Sequence, residues 1–479
     1  MNRELKRVSI AVVLMFVTLL CSSTVISVFQ ADNLKNDPRN TRTIYDSYLT
    51  ERGPILVAGQ PIAESKPSND AYNFQRVYSN PQLYSAVTGY FSLNQGNTGI
   101  ESSLNDYLSG TASSQFFDKV NSLLTGKKPK GAAVELTINP KVQQAAWDAL
   151  GNQSGAVVAI NPKTGAILAM VSKPGFDPNA LASHNGSDVI AAYKSLLADP
   201  TQPLKNRAIA GDLYHPGSVF KLVVTSAALD SGKFTADSLF PNPPSLQLPQ
   251  STSVIHNAGD SSCGGAAQIT IADALRLSCN VPFAQIGAAV GQDTIRKYAQ
   301  AYGFGQTVKI PMSVTPSVYP NNMDAPQVML SSFGQSNDRV TPLQIAMVSA
   351  GIANGGTLMQ PTLVDTITGP DLRVIKPFQQ TVYGQPISAQ TSATLTQLMI
   401  NNVNNGAASN ARINGVEVAG KTGTAENGVG QPYSLWFTGF APANNPQVAV
   451  AVVVGNGTGF GNSVAAPIAK TVIEAVLSK

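Results

Sequence analysis

His215-Pro216-Gly217-Ser218-Val219-Phe220-Lys221 is the stretch on which the reading of this chain turns. It sets a serine three residues ahead of a lysine, behind a Pro-Gly pair and at the head of an apolar run reaching Leu229. That pattern predicts a helix beginning near Ser218. Residues three apart share a helix face, so the Lys221 amine is expected to point at the Ser218 oxygen. A serine hydroxyl is a weak nucleophile at neutral pH until a base takes its proton, and a lysine serves if its pKa is lowered. The free amides of the first turn, at the positive end of the helix dipole, suit a developing oxyanion.

Two more motifs follow in order, Ser278-Cys279-Asn280 and Lys421-Thr422-Gly423. Alone, each is weak. Ser-x-Asn recurs at Ser92-Leu93-Asn94, Ser103-Leu104-Asn105 and Ser183-His184-Asn185, where a turn or helix cap is the ordinary reading. Lys163-Thr164-Gly165 lies between two short apolar runs and reads as a hairpin tip. Lys421 instead leads into Thr424-Ala425-Glu426 and a strand candidate beginning at Ser434, the context of a strand lining a cleft. Ser-x-x-Lys occurs only at Ser218, and the order and wide spacing of the three make the combination specific.

In that order the motifs resemble those of the penicillin-binding proteins, the family that also holds the serine β-lactamases. Asn206-Arg207-Ala208, Phe333-Gly334-Gln335 with Thr341-Pro342-Leu343-Gln344, and Ala353-Asn354-Gly355-Gly356 resemble its transpeptidase signatures. Arg52-Gly53-Pro54-Ile55 and Gly99-Ile100-Glu101 resemble pedestal segments of the monofunctional class B members, so the likeness spans nearly the whole chain and is greatest to the short actinobacterial subgroup. It implies a mixed α/β (α+β) fold, with a five-stranded antiparallel sheet, helices on both faces and a helical subregion. It also implies a peptidoglycan D,D-transpeptidase in cell-wall synthesis linked to division, without cofactor.

The roles implied carry over residue by residue. Ser218 attacks the penultimate D-alanine carbonyl of a peptidoglycan stem peptide, with Lys221 as base; Ser278 relays a proton and Asn280 holds the substrate. Lys421 supplies positive field, while Thr422, Gly423 and Thr424 sit on a strand that pairs with the substrate, the two threonines binding its terminal carboxylate. The backbone amides of Ser218 and Thr424 form the oxyanion hole. β-Lactams would acylate the same serine. The alternatives are a β-lactamase or a D,D-carboxypeptidase, or a non-catalytic β-lactam sensor or division scaffold.

Composition bounds the same answer. A chain of 479 residues, 43% hydrophobic and 13% charged, builds two or three globular domains. A net charge of +4, with no basic run interleaved with aromatics, excludes nucleic acid as a partner. Residues 8–29 are uncharged and about as long as the roughly 20 residues a membrane-spanning helix needs. Arg3, Lys6 and Arg7 ahead of them favour a cytoplasmic N-terminus and an extracytoplasmic body. The expected organisation is a tail over 1–7, an anchor in the cell membrane over 8–29, a pedestal over 30–130 and a transpeptidase domain over 131–479. The interval between anchor and transpeptidase region is too short for a glycosyltransferase, so a separate enzyme is expected to polymerise the glycan.

Outside the membrane disulfides persist. Cys263 and Cys279 can pair, closing a loop of about 15 residues worth ~3 kcal/mol by chain entropy; spacing alone leaves two separate thiols as the alternative. His184, His215 and His256 are far apart, and neither cysteine has a zinc-like partner, so no metal site is expected. Gly217-Ser218-Val219-Phe220 is not a nucleophile elbow, which argues against a Ser-His-Asp hydrolase and leaves His215 lining the cleft without acting as a base.

Overall fold

The computed structural model describes residues 3–30, 50–115, 130–211 and 213–478. Within the expected pedestal, Arg39, Arg42 and Tyr45, residues 116–124, which read as helical in sequence, and residues 126–129 of a lysine-rich turn that reads as a linker lie outside that set.

Five antiparallel strands form the catalytic sheet, in the spatial order Ala419–Ala425, Tyr433–Ala441, Val448–Gly457, Gly155–Ile160, Ile167–Lys173. Gly155–Ile160 is buried at every position because helices cover both faces of the sheet. Ala156, Val158 and Ile160 belong to one core, together with the helix Pro342–Ala353, whose residues are apolar and buried nearly all round. Val157 and Ala159 face the other core, with Gly461–Leu477 and Pro140–Leu150. Lys163-Thr164-Gly165 forms the tip joining the paired strands Gly155–Ile160 and Ile167–Lys173. Ala419–Ala425, which carries Lys421, is an edge strand with one side unpaired.

A second sheet of six strands runs Val374–Lys376, Val364–Thr368, Ala133–Leu136, Ile55–Val57, Gln60–Pro67, Phe74–Tyr78. Ile55–Val57 pairs in parallel with Ala133–Leu136, which in turn receives Val364–Thr368. The division expected at residue 130 therefore falls just before a strand internal to this sheet, and a distant segment completes it. Beneath it, Arg52 Nε and Arg76 Nε donate to opposite oxygens of Glu101 at 2.5 and 2.7 Å, and all three side chains are buried. Tyr78 donates to the same carboxylate at 3.2 Å.

At the N-terminus the helix Arg3–Thr24 continues as a wider π-helical turn, Val25–Phe29. It is long and apolar enough to cross a membrane and packs against nothing else in the described residues. Its hydroxyls at Ser9, Thr18 and Thr24 each donate to the carbonyl four residues back, which lowers the cost of placing them in an apolar medium.

Candidate active site

The Ser218 segment is wound more tightly than expected. Gly217–Phe220 is a 3₁₀ turn, and the α-helix proper begins at Lys221 and runs to Asp230. A 3₁₀ turn has three residues per turn, so side chains three apart eclipse and the Ser218–Lys221 spacing gains rather than loses alignment. Glycines seat the turn. Gly217 has φ +55°, and a Cβ there would come within 3.0 Å of the Ala425 side chain. Its N–H donates to Gly334 O at 2.9 Å, and a Cβ on Gly334 would lie 2.0 Å from Gly217 O, so Phe333-Gly334-Gln335 backs the Ser218 turn. From the front, a Cβ on Gly423 would press on Pro216 O at 3.1 Å and on Val219.

Lys221 is wholly buried, and its Nζ donates to Ser278 O at 2.7 Å and to Asn280 Oδ1 at 2.9 Å, with the Phe283 ring 5.2 Å away. Burial, and after it the charge of Lys421, holds its pKa well below the ordinary lysine range. A neutral amine that has donated both N–H groups keeps one lone pair, and that lone pair is what a base needs. Among the described residues no hydrogen bond joins Lys221 to the half-buried Ser218, so the amine is held by the Ser278–Asn280 wall.

Lys421 is equally buried, and burial pushes it down to about 7. Its Nζ donates to Ser278 Oγ at 2.7 Å and to Thr422 O at 3.0 Å. Ser278 thus touches both lysines, one through its carbonyl and one through its hydroxyl. It manages this in the left-handed conformation, φ 63° and ψ 36°, at the end of the helix Ile271–Leu277. A serine there costs of order 1 kcal/mol or more and persists because its surroundings hold it. One constraint adjoins it directly: Cys279 forms a disulfide with Cys263, Cα to Cα 5.9 Å.

Asn280 opens the helix Asn280–Val290. Its Oδ1 accepts from Lys221 and its Nδ2 donates to His256 O at 3.2 Å, which fixes the amide's orientation and leaves one N–H for a ligand. The two threonines differ. Thr422 Oγ1 donates to Ala407 O at 3.0 Å, so its hydroxyl proton is committed away from the cleft. Thr424 Oγ1 accepts from Gly461 N at 3.1 Å and keeps its proton to give.

His215 is no base here. Arg339 Nη1 lies 2.7 Å from its Nδ1, and burial, with Arg339 second, lowers its pKa to about 4. Asn257 is not singled out by the sequence, and His256 stands there only among the three histidines weighed for a metal; both hold the Asn280 wall by contacts with no local pattern to announce them. A cavity of about 640 Å³ between Ser85, Thr98, Tyr193 and Asn206 contains none of these groups. No cluster of His, Cys, Asp and Glu suited to a metal is found among the described residues.

Comparison with known proteins fits this geometry. Residues 155–474 match the penicillin binding protein transpeptidase domain, and 52–134 match the penicillin binding protein A dimerisation domain. The peptidoglycan D,D-transpeptidase PbpA of Mycolicibacterium smegmatis is 41% identical, covering 100% of this chain and 99% of its own length. That of Mycobacterium tuberculosis is 40% identical over the same shares. The M. tuberculosis penicillin-binding protein A structure, a ceftriaxone acyl-enzyme, superposes with a TM-score of 0.87 at 39% identity, covering 91% of this chain and 100% of that one. Its penicillin G acyl-enzyme gives 0.85 at 39% identity, covering 90% and 100%. A glycine-seated serine turn facing two buried lysines across Ser278, together with full-length likeness of this order, makes the chain a member of the class B penicillin-binding protein transpeptidases, of the penicillin-binding protein A kind.

Proposed function

We propose that this chain is a peptidoglycan D,D-transpeptidase working through an acyl-enzyme on Ser218. The observation that carries the reading is a pair of buried lysines, Lys221 and Lys421, bridged by Ser278 with no carboxylate among the described residues bonded to either. Lys221, neutral, takes the Ser218 proton as the oxygen attacks the penultimate D-alanine carbonyl. The proton passes by way of Ser278 to the departing amine of the terminal D-alanine. The C–N bond breaks, the acyl group stays on Ser218, and an amine from a second stem peptide displaces it.

Lys421 supplies the positive field for the terminal carboxylate, and Thr424 donates its free hydroxyl proton to it. Thr422 joins them only by giving up Ala407 O. The unpaired side of Ala419–Ala425 takes the donor peptide as an added strand, while the spare N–H of Asn280 meets its backbone. The amides of Ser218 and Thr424 receive the oxyanion. The N-terminal helix anchors the body on the extracytoplasmic side, residues 30–130 form the pedestal and 131–479 the catalytic domain, and a separate glycosyltransferase supplies the glycan.

The test is intact-mass spectrometry of the ectodomain with benzylpenicillin, followed over hours. One stable adduct, located on Ser218 and absent from Ser218→Ala, is the expected result. Rapid loss of the adduct would instead mark a β-lactamase, and label on Ser218→Ala would refute the assignment.

A further inference from the structure

The helix Asn280–Val290 begins without a cap of its own. Cys279 occupies the capping position, but its side chain is spent in the disulfide and makes no cap hydrogen bond. The orphan N–H groups of such a helix must go somewhere. Asn280 N and Val281 N both donate to a single atom, Asn257 Oδ1, each at 3.0 Å. Asn257 is buried, and its Nδ2 donates to Pro243 O at 3.2 Å and Ser261 O at 3.3 Å. Two N–H groups on the oxygen and two carbonyls on the nitrogen define the amide's orientation completely. The preceding residue adds its carbonyl to the Asn280 side chain.

We infer that Asn257 is a positioning residue for acyl transfer: it caps the Asn280 helix from another segment, and so sets where Asn280 and Ser278 hold the Lys221 amine. Asn257 touches no reacting atom. Its effect runs through two hydrogen bonds to the helix start, then through Asn280 Oδ1 to Lys221 Nζ. Without it, the carboxamide that fixes the lone pair of Lys221 loses its anchor, and water gains access to the amine. The groups facing Lys221 are Ser278, Asn280 and the Phe283 ring, and the charge acting on it is that of Lys421. The inference rests on the acyl-transfer reading above.

Asparagine offers two functions that substitution separates. Asn257→Ala removes the cap and the anchoring to Pro243 and Ser261. Asn257→Asp keeps an oxygen for both helix N–H groups, where negative charge is favourable, but cannot donate to the two carbonyls. The experiment is the pH profile of benzylpenicillin acylation for the wild-type ectodomain and both variants. For Asn257→Ala the plateau rate should fall ~10–100-fold, the scale of a small misplacement of a catalytic group, with the acid limb moved to higher pH as Lys221 is rehydrated. For Asn257→Asp the plateau should return to within a few fold of wild type, although the new carboxylate also moves the limb upward. A wild-type plateau and limb in Asn257→Ala would overturn the inference. So would an Asp variant whose plateau falls ~10–100-fold below wild type, since anchoring rather than capping would then matter; this arm is read against wild type and decides alone if the Ala protein does not fold. Failure of wild type to acylate would instead overturn the functional reading itself.

Discussion

Two clusters of charge are buried in this molecule, and they are built on opposite plans. In the pedestal, Arg52 and Arg76 close on Glu101, with a tyrosine, Asn105 and backbone carbonyls taking up most of the remaining capacity and Arg76 Nη2 left without a partner among the described residues. Burial acts to raise the Glu101 pKa, but Arg76 and Arg52 outweigh it and hold the carboxyl below its ordinary value. In the cleft, Lys221 and Lys421 are buried to the same degree, yet their partners are carbonyls, a hydroxyl and a carboxamide. Among the described residues no carboxylate opposes desolvation there, and both amines are driven toward neutrality. Compensated charges lock a fold, whereas uncompensated ones are poised to exchange protons.

Breaking each cluster should therefore cost different things. The largest effect is expected from Lys221→Ala, which removes the proposed base and should slow acylation by ~10³–10⁴-fold while leaving the protein folded, as stopped-flow acylation and a melting curve would show together. Next, Glu101→Gln leaves two guanidiniums facing each other in the interior and should cost roughly 3–5 kcal/mol of stability. Acylation per folded molecule should be unchanged, which denaturant melts and active-site titration can separate. Lys421→Met mixes the two signs: acylation should fall about 10²-fold, while relief of a desolvated amine should raise stability by about 1–2 kcal/mol. If Lys421→Met melted lower than wild type, the cluster would not be uncompensated.

The smallest effect is a slope. Lys421 sits at about 7 in the fold against an ordinary 10.5 once unfolded, so the unfolded chain binds the proton more readily between those values. This group's contribution to stability is complete above 10.5 and is lost as pH falls to about 7. The difference in melting temperature between wild type and Lys421→Met should therefore narrow as pH rises from neutral. A difference constant with pH would remove the desolvation argument.

Much of the cleft was legible because its key spacings are local or strand-bound. Ser218 and Lys221 lie within one turn, and Lys421 to Thr424 lie along one strand whose apolar neighbours announce it. What escaped was pairing across the chain. Asn257 reads as a loop asparagine, since its role lies in two N–H groups beyond 20 residues away, and no periodicity records that. The six-stranded sheet is not legible in sequence for the same reason: Ala133–Leu136 takes Ile55–Val57 on one side and Val364–Thr368 on the other. Thr422 and Thr424 look equivalent in sequence, and only Ala407 O and Gly461 N distinguish them. The sequence announces a helix near Ser218 but not its tight 3₁₀ start at Gly217, which packs against Gly334 through a contact no local pattern records.

The contrast between the clusters comes down to whether Lys221 is neutral when it meets Ser218, and the most direct measurement is the acylation rate of wild type across pH. A buried amine without a counter-charge predicts a rate that levels off well short of the ordinary lysine value of 10.5. A rate that climbs tenfold per pH unit all the way to that value would show Lys221 titrating as a solvated lysine, and the account of the site would be wrong.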